Sequence, residues 1–265
     1  MSESLYRFYS YNENDLHSLA GHYLWFSKLE DFNDPFEGGH EEAIELANFT
    51  DLTESEYIAL YKELGKKSGE SIDNITNSIV HLKVSGKLEK VIDSTIKRQL
   101  DVIYNRINEM INNQLHCCFS RDGDISAIKN KQMWSLYANG LRGFAIEFYR
   151  DTLEKGLSER INEKIFYADM VYSDEFEFKA AQLLYETMIE RSISSGINRI
   201  FSRKDAYWAY ERELRISAPL TSNGNKYYFP IDAIKSITLG EKMDKMKRVT
   251  LLTILKSIGL NIETQ

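Results

Sequence analysis

The stretch AYWAYERELRISAP, residues 206–219, decides how the rest of the chain is read. It can be taken at period 2 or at period 3.6, and the two readings place its charges differently. As a strand, Leu214, Ile216 and Ala218 face one way and Glu211, Glu213, Arg215 and Ser217 the other, with the two carboxylates about 7 Å apart. As a helix, Glu211 and Arg215 make an ordinary i,i+4 pair and Glu213 turns away from both. Pro219 closes the stretch and Ser222-Asn223-Gly224-Asn225 follows as a turn signal, which favours the strand, with Lys204–Trp208 a short helix or loop before it. A strand face bearing two glutamates and an arginine either works on a ligand or meets water with its glutamates paired to Arg212, Arg215 or Lys204, and the pattern alone allows both.

Outward from this strand, whose β-like run is 213–219, further short runs recur at residues 5–11, 22–27, 116–120, 143–148, 165–173, 226–230 and 234–240. Segments of helical character separate them. The longest runs from about residue 50 to 114, where Ile75, Ile79, Leu82, Val91, Ile92, Ile96, Leu100, Ile103, Ile107 and Ile111 recur at spacings of three and four until Asn112-Asn113. Others are expected at 129–139, 174–201 and 241–258. Strands and helices do not alternate regularly, so a doubly wound parallel sheet is not expected. The order predicts an α+β fold: a mixed, mostly antiparallel central sheet with packed helices, in one domain that carries the first helical block as an insertion.

Composition narrows the function classes. With 265 residues and 43% hydrophobic composition the chain can bury a proper core, and a net charge of −7 announces no global affinity for nucleic acid or an anionic membrane. The two cysteines, Cys117 and Cys118, are adjacent and provide neither a disulfide framework nor zinc spacing. Alternate strand positions place Cys118 on one face with His116 as a nucleophile pair, but no third orienting group is evident. A signal-like N-terminus and a run of about 18 apolar residues are both lacking, so no membrane partner and a cytoplasmic location are expected. Glycine-rich nucleotide loops, HExxH and GxSxG are absent, and the five histidines lack ligand spacing, so no metal site is expected.

Three motifs carry resemblance. FNDPFEG (32–38), MWSLYANGLRGFAIEF (133–148) and WAYERELRIS (208–217) look like the signatures of an uncharacterised bacterial family, the domain of unknown function numbered 2971. That resemblance implies no activity of its own, though it suggests a toxin or phage-defence setting. The chain also resembles, more weakly, the ADP-ribosyltransferases that carry an early strand Arg, a middle strand Ser and a late Glu-x-Glu. LYRF supplies Arg7, CCFS supplies Ser120 and ERE supplies Glu211 and Glu213, in the right order. This resemblance implies NAD as a substrate, with Arg7 on a phosphate, Ser120 bracing the site and Glu213 stabilising an oxocarbenium-like transition state. Glu211 would then position or deprotonate an acceptor, either nucleic acid or protein. The middle motif departs from the family in reading Cys-Phe-Ser-Arg.

Further candidates surround that set. Tyr9 accompanies Arg7 on β-like sequence. Asn33 and Asp34 precede Pro35 in a natural turn that either caps itself or faces a ligand, and Phe32 beside them can stack on nicotinamide or a base. Trp134 and Tyr137 share a helix face at i,i+3 and form either core or pocket wall. Two other classes stay open. Asp34, Glu37, Glu211 and Glu213 could converge on Mg²⁺ in a nuclease-like phosphoesterase centre. Alternatively, the chain is a non-enzymatic binding module whose helical insertion docks a partner protein.

Overall fold

A computed structural model describes residues 3–34, 52–161, 164–173, 185, 188–189 and 202–260, with only the backbone of 100–101, 103–112 and 203. In chain order the elements are β1 (Ser4–Tyr9), α1 (Glu13–Ala20), β2 (Tyr23–Trp25), α2 (Glu54–Lys67), α3 (Ile72–Val84), α4 (Leu88–Asn112) and β3 (Gln114–Arg121). There follow α5 (Lys131–Leu136), β4 (Phe144–Tyr149), α6 (Arg150–Arg160), β5 (Phe166–Asp169), β6 (Val171–Tyr172), β7 (Arg203–Lys204), β8 (Glu213–Pro219), β9 (Lys226–Tyr228), β10 (Ile234–Leu239) and α7 (Lys245–Ser257). Short 3₁₀ turns occupy Leu29–Asp31, Ala127–Lys129, Ala206–Glu211 and Ile231–Ala233. Among the described residues no helix is long and apolar enough to cross a membrane.

The chain divides into two compact units. One comprises Met1–Pro35, Asn113–Asp174 and Ser202–Gln265, the other Phe36–Asn112 and Glu175–Phe201. Within the second, α2 to α4 bury Leu52, Leu60, Leu64, Ile92 and Ile96 together. The helical block is therefore three helices, separated where the left-handed glycines Gly69 and Gly86 reverse the chain. The side chains of the expected core positions Leu100, Ile103, Ile107 and Ile111, and most of the expected helix at 174–201, lie outside what is described.

The first unit is built on a six-stranded sheet in the order β10-β4-β1-β3-β8-β5, every pairing antiparallel. The α+β expectation thus holds, and 213–219 is a strand. Alternation sends Leu5 and Tyr9 of β1, Leu115, Cys117 and Phe119 of β3, Phe144, Ile146 and Phe148 of β4, and Leu214, Ile216 and Ala218 of β8 into the main core. Tyr6 and Phe8 point to the opposite face, where they pack on Met133, Trp134 and Ala138.

Several boundaries differ from expectation. Glu211 is not on β8: the chain makes a 3₁₀ turn to Glu211, then passes through Arg212 at φ 46°, so the strand starts at Glu213. Residues 165–173 split into β5, on the main sheet, and β6, which pairs in parallel with β7. Two helices escaped the periodicity. The eight-residue α1 is announced only by its capping box, Asn12 with Asp15, and α6 is too polar to show an apolar stripe.

Candidate functional site

The face opposite the main core carries the site. From β3 it receives His116, Cys118 and Ser120, and from β8 it receives Ser217, Arg215 and Glu213, which stand directly opposite them in the ladder. The solvated face considered for β8 is not what forms. Glu213 and Arg215 are only 2% and 1% exposed, so charges placed on this face must be satisfied internally.

They are satisfied by a lysine. Lys204, on β7, donates from Nζ to Glu211 Oε2 at 2.7 Å and to Glu213 Oε2 at 3.1 Å. Arg215 Nε donates to the other oxygen of Glu213 at 2.8 Å. The Tyr137 hydroxyl donates to Glu211 Oε1 and accepts from Asn33 Nδ2 at 3.0 Å. The Glu213 N–H donates to Tyr172 Oη at 2.7 Å, tying β6 to the cluster. Aromatic faces cover the cations, with the Lys204 ammonium 5.1 Å from the Trp208 ring and the Arg215 guanidinium 5.2 Å from the Phe32 ring.

Burial and charge compete over each of these groups. Burial pushes the Glu213 carboxyl up, opposed by Lys204. It would depress the Lys204 ammonium, but the charges of Glu213 and Glu211 outweigh it and hold that group above its ordinary value. Arg215 is pushed down to about 9 by burial, with the charge of Asp34 acting against the fall. Cys118 lies well above its usual range through burial and the neighbouring Glu213 charge, so it is a neutral thiol and not an activated nucleophile. His116, held by Ser217 Oγ at 2.8 Å from Nδ1, is pushed down to about 4 by burial and is neutral.

Beside this cluster the sheet opens. β1 pairs with β3 only at Leu5–Arg121 and Tyr6–Ser120. Further along, His116 exchanges both backbone bonds with Ser27 instead, at 2.8 and 2.9 Å. Over the gap lies a cavity of about 440 Å³, within the range of small-ligand sites. Tyr6, Phe8, Trp25, Phe32 and Tyr137 provide its aromatic wall, and Cys118, Ser120, Lys204, Glu211 and Glu213 its polar side.

Of the candidate residues, the cavity gathers Arg7, Ser120, Phe32, Asn33, Tyr137, Glu211 and Glu213. Arg7 reaches this lining from β1, where its guanidinium donates to Cys117 Sγ at 2.7 Å and to Cys118 O at 3.1 Å. The rings of Tyr9 and Phe119 flank it at 5.7 and 5.9 Å. Tyr9 stacks on Phe144 in the main core, and Trp134 packs edge-on to Phe8 with its indole N–H on Ile128 O at 2.7 Å, so neither is pocket wall. Asp34 is buried, and its charge acts on Arg215.

Glu37 lies outside the described residues, and among those described no group of three or more His, Cys, Asp and Glu side chains is arranged to hold a metal ion. Lys204, which the sequence offers as one of three surface partners for the glutamates, is instead a buried partner of both, nine positions before Glu213. His116 and Cys118 do share the strand face on which alternation sets them as a weak nucleophile pair.

Fold and site together define an α+β protein with a small, aromatic-walled cavity closed at one end by a buried Lys–Glu–Glu–Arg network. A family model described as "Protein of unknown function (DUF2971)" matches residues 133–216, about a third of the chain, covering the second motif and most of the third. No curated protein and no solved structure matches the chain, so the ADP-ribosyltransferase resemblance gains no support from either.

Proposed function

We propose that the cavity receives the nicotinamide–ribose end of NAD and that the chain is an ADP-ribosyltransferase-like enzyme. The observation that carries this reading is the register of β3 on β8: Ser120 stands directly opposite Glu213, and both open into the same cavity as Glu211. In the reaction the bond from ribose C1′ to the pyridinium nitrogen breaks, its electron pair goes to nicotinamide, and an acceptor nucleophile bonds to C1′ while giving its proton to Glu211. Glu213 is the fixed carboxylate that faces the positive charge developing on the ribose, in a setting poor in water.

On the cavity lining Arg7 and Lys204 balance Glu211 and Glu213 in formal charge, so recognition of a planar ring rests on the aromatic wall. Lys204 holds both glutamates in the resting form, so the ligand must compete with its ammonium for them. That same pairing favours the second reading, a non-enzymatic pocket that binds a small ligand without turnover.

The test is calorimetry with NAD beside nicotinamide release in the presence of a lysate, for the wild type and Glu213→Gln. Release that disappears in the variant while NAD still binds supports the enzyme. Binding without release in the wild type moves the assignment to the binding pocket, and absence of both refutes NAD as the ligand.

A further inference from the structure

A second cavity, of about 380 Å³, lies beside the first and shares Ser120 and Glu211 with it. In a chain of net charge −7 its lining brings together four cations, Arg121, Lys129, Lys131 and Arg212. Arg121 is shared with Asp169 at 2.8 Å and Glu3 at 3.8 Å, and Arg212 with Asp124 at 3.5 Å. Arg212 lies across Gly123, where a Cβ would stand 1.2 Å from its Nη1, so the loop is shaped to admit the guanidinium. Lys129 and Lys131 are exposed and make no ion pair among the described residues. Tyr210, on the same lining, has a buried hydroxyl with no hydrogen-bond partner among the described residues. Its turn also carries Tyr207, 77% exposed, three residues earlier, and in a 3₁₀ helix i and i+3 lie on one side.

Basic side chains that follow a backbone, beside an exposed ring on which a base can stack, are the combination that recognises single-stranded nucleic acid. We propose that this second cavity docks the phosphodiester backbone of a single-stranded nucleic acid, with Lys129, Lys131 and Arg212 on phosphates and Tyr207 stacking on a base. The position next to Glu211 makes that strand the acceptor of the transfer. This last assignment rests on the proposed activity, whereas the binding itself does not.

The binding is tested without NAD, by fluorescence anisotropy of a labelled 12-nucleotide oligo-dT and its duplex on the full chain. With three or four phosphates neutralised, raising salt from 50 to 200 mM should weaken binding about 20- to 50-fold. Lys129→Glu with Lys131→Glu should abolish binding, Tyr207→Ala should weaken it about tenfold, and Asp124→Asn, which releases Arg212, should strengthen it. The gain in Asp124→Asn separates a site from a folding defect. Binding that ignores salt and these substitutions, duplex held as tightly as the single strand, or inorganic pyrophosphate bound where the oligonucleotide is not, each overturns the proposal. Oligonucleotide binding that follows the predicted pattern while NAD fails to bind upholds the docking site and refutes only the NAD reading.

Discussion

Lys204→Met removes the ammonium that two buried glutamates share and keeps most of the stem that packs beside Trp208. At an effective dielectric of about 20, contacts of 2.7 and 3.1 Å correspond to about 6 and about 5 kcal/mol before desolvation. Burying three ions costs several kcal/mol each, so the intact network stabilises far less than that sum. Breaking it is different, because Glu211 and Glu213, 4% and 2% exposed, then keep their burial cost and lose their common partner. The expected loss is about 3–5 kcal/mol, or about 10 °C in midpoint for a chain of this size, read by thermal unfolding under circular dichroism. The loss must depend on pH. Burial already raises the Glu213 carboxyl, and removing Lys204 raises it further. A carboxyl whose folded value exceeds its unfolded value destabilises as pH rises through the folded value, so the variant should lose more at pH 8 than at pH 5. Adding Glu211→Gln restores a one-to-one pairing of Glu213 with Arg215 and should recover half the loss or more. A loss below about 1 kcal/mol, an equal loss at both pH values, or no recovery in the double variant would refute the reasoning.

Three further outcomes are expected. His116 is charged in the unfolded chain below 6.5 but in the folded chain only below about 4, so stability is full above 6.5 and declines as pH falls through that interval. At about 1.4 kcal/mol per pH unit the decline is about 3 kcal/mol, and His116→Asn should flatten the curve of urea midpoint against pH; an unchanged slope would exclude His116 as its source. Gly143→Ala places a Cβ 1.8 Å from the Tyr9 carbonyl oxygen, where β4 begins against β1, and should cost about 3 kcal/mol in thermal unfolding, whereas an unaltered midpoint would contradict so close an approach. Tyr137→Phe leaves Glu211 Oε1 without its phenol donor and should cost about 1–3 kcal/mol, with a neutral result showing that water replaces the hydroxyl.

The sheet was legible because it rests on alternation, and alternation is local: Leu214, Ile216 and Ala218 declare a buried face whatever surrounds them. Pro219 and the turn after it set the strand's end. The run 213–219 was legible with both its ends, but period 2 also carried Glu211 onto its face, and the left-handed Arg212 takes it off. A residue other than glycine at positive φ leaves no mark in the pattern. The site divides along the same line. Ser120 and Glu213 could be named from motif order, and the register then made them neighbours. Arg7 was named from the same order and also lines the cavity, but its hydrogen bonds to Cys117 and to the Cys118 carbonyl depend on the packing of β1 against β3 and were not legible. Lys204 was legible only as one of three possible surface partners of the glutamates, not as their buried common partner. Its role exists only because both glutamates are sealed from water, and that sealing is contributed by Trp208, Tyr137, Phe32 and Tyr172, which converge from four separate segments. A charge on a strand face looks solvated until the covering segments are known. Once they are known, the buried carboxylates require a cation within about 3 Å, and the lysine nearest in space, nine positions away in sequence, meets that requirement.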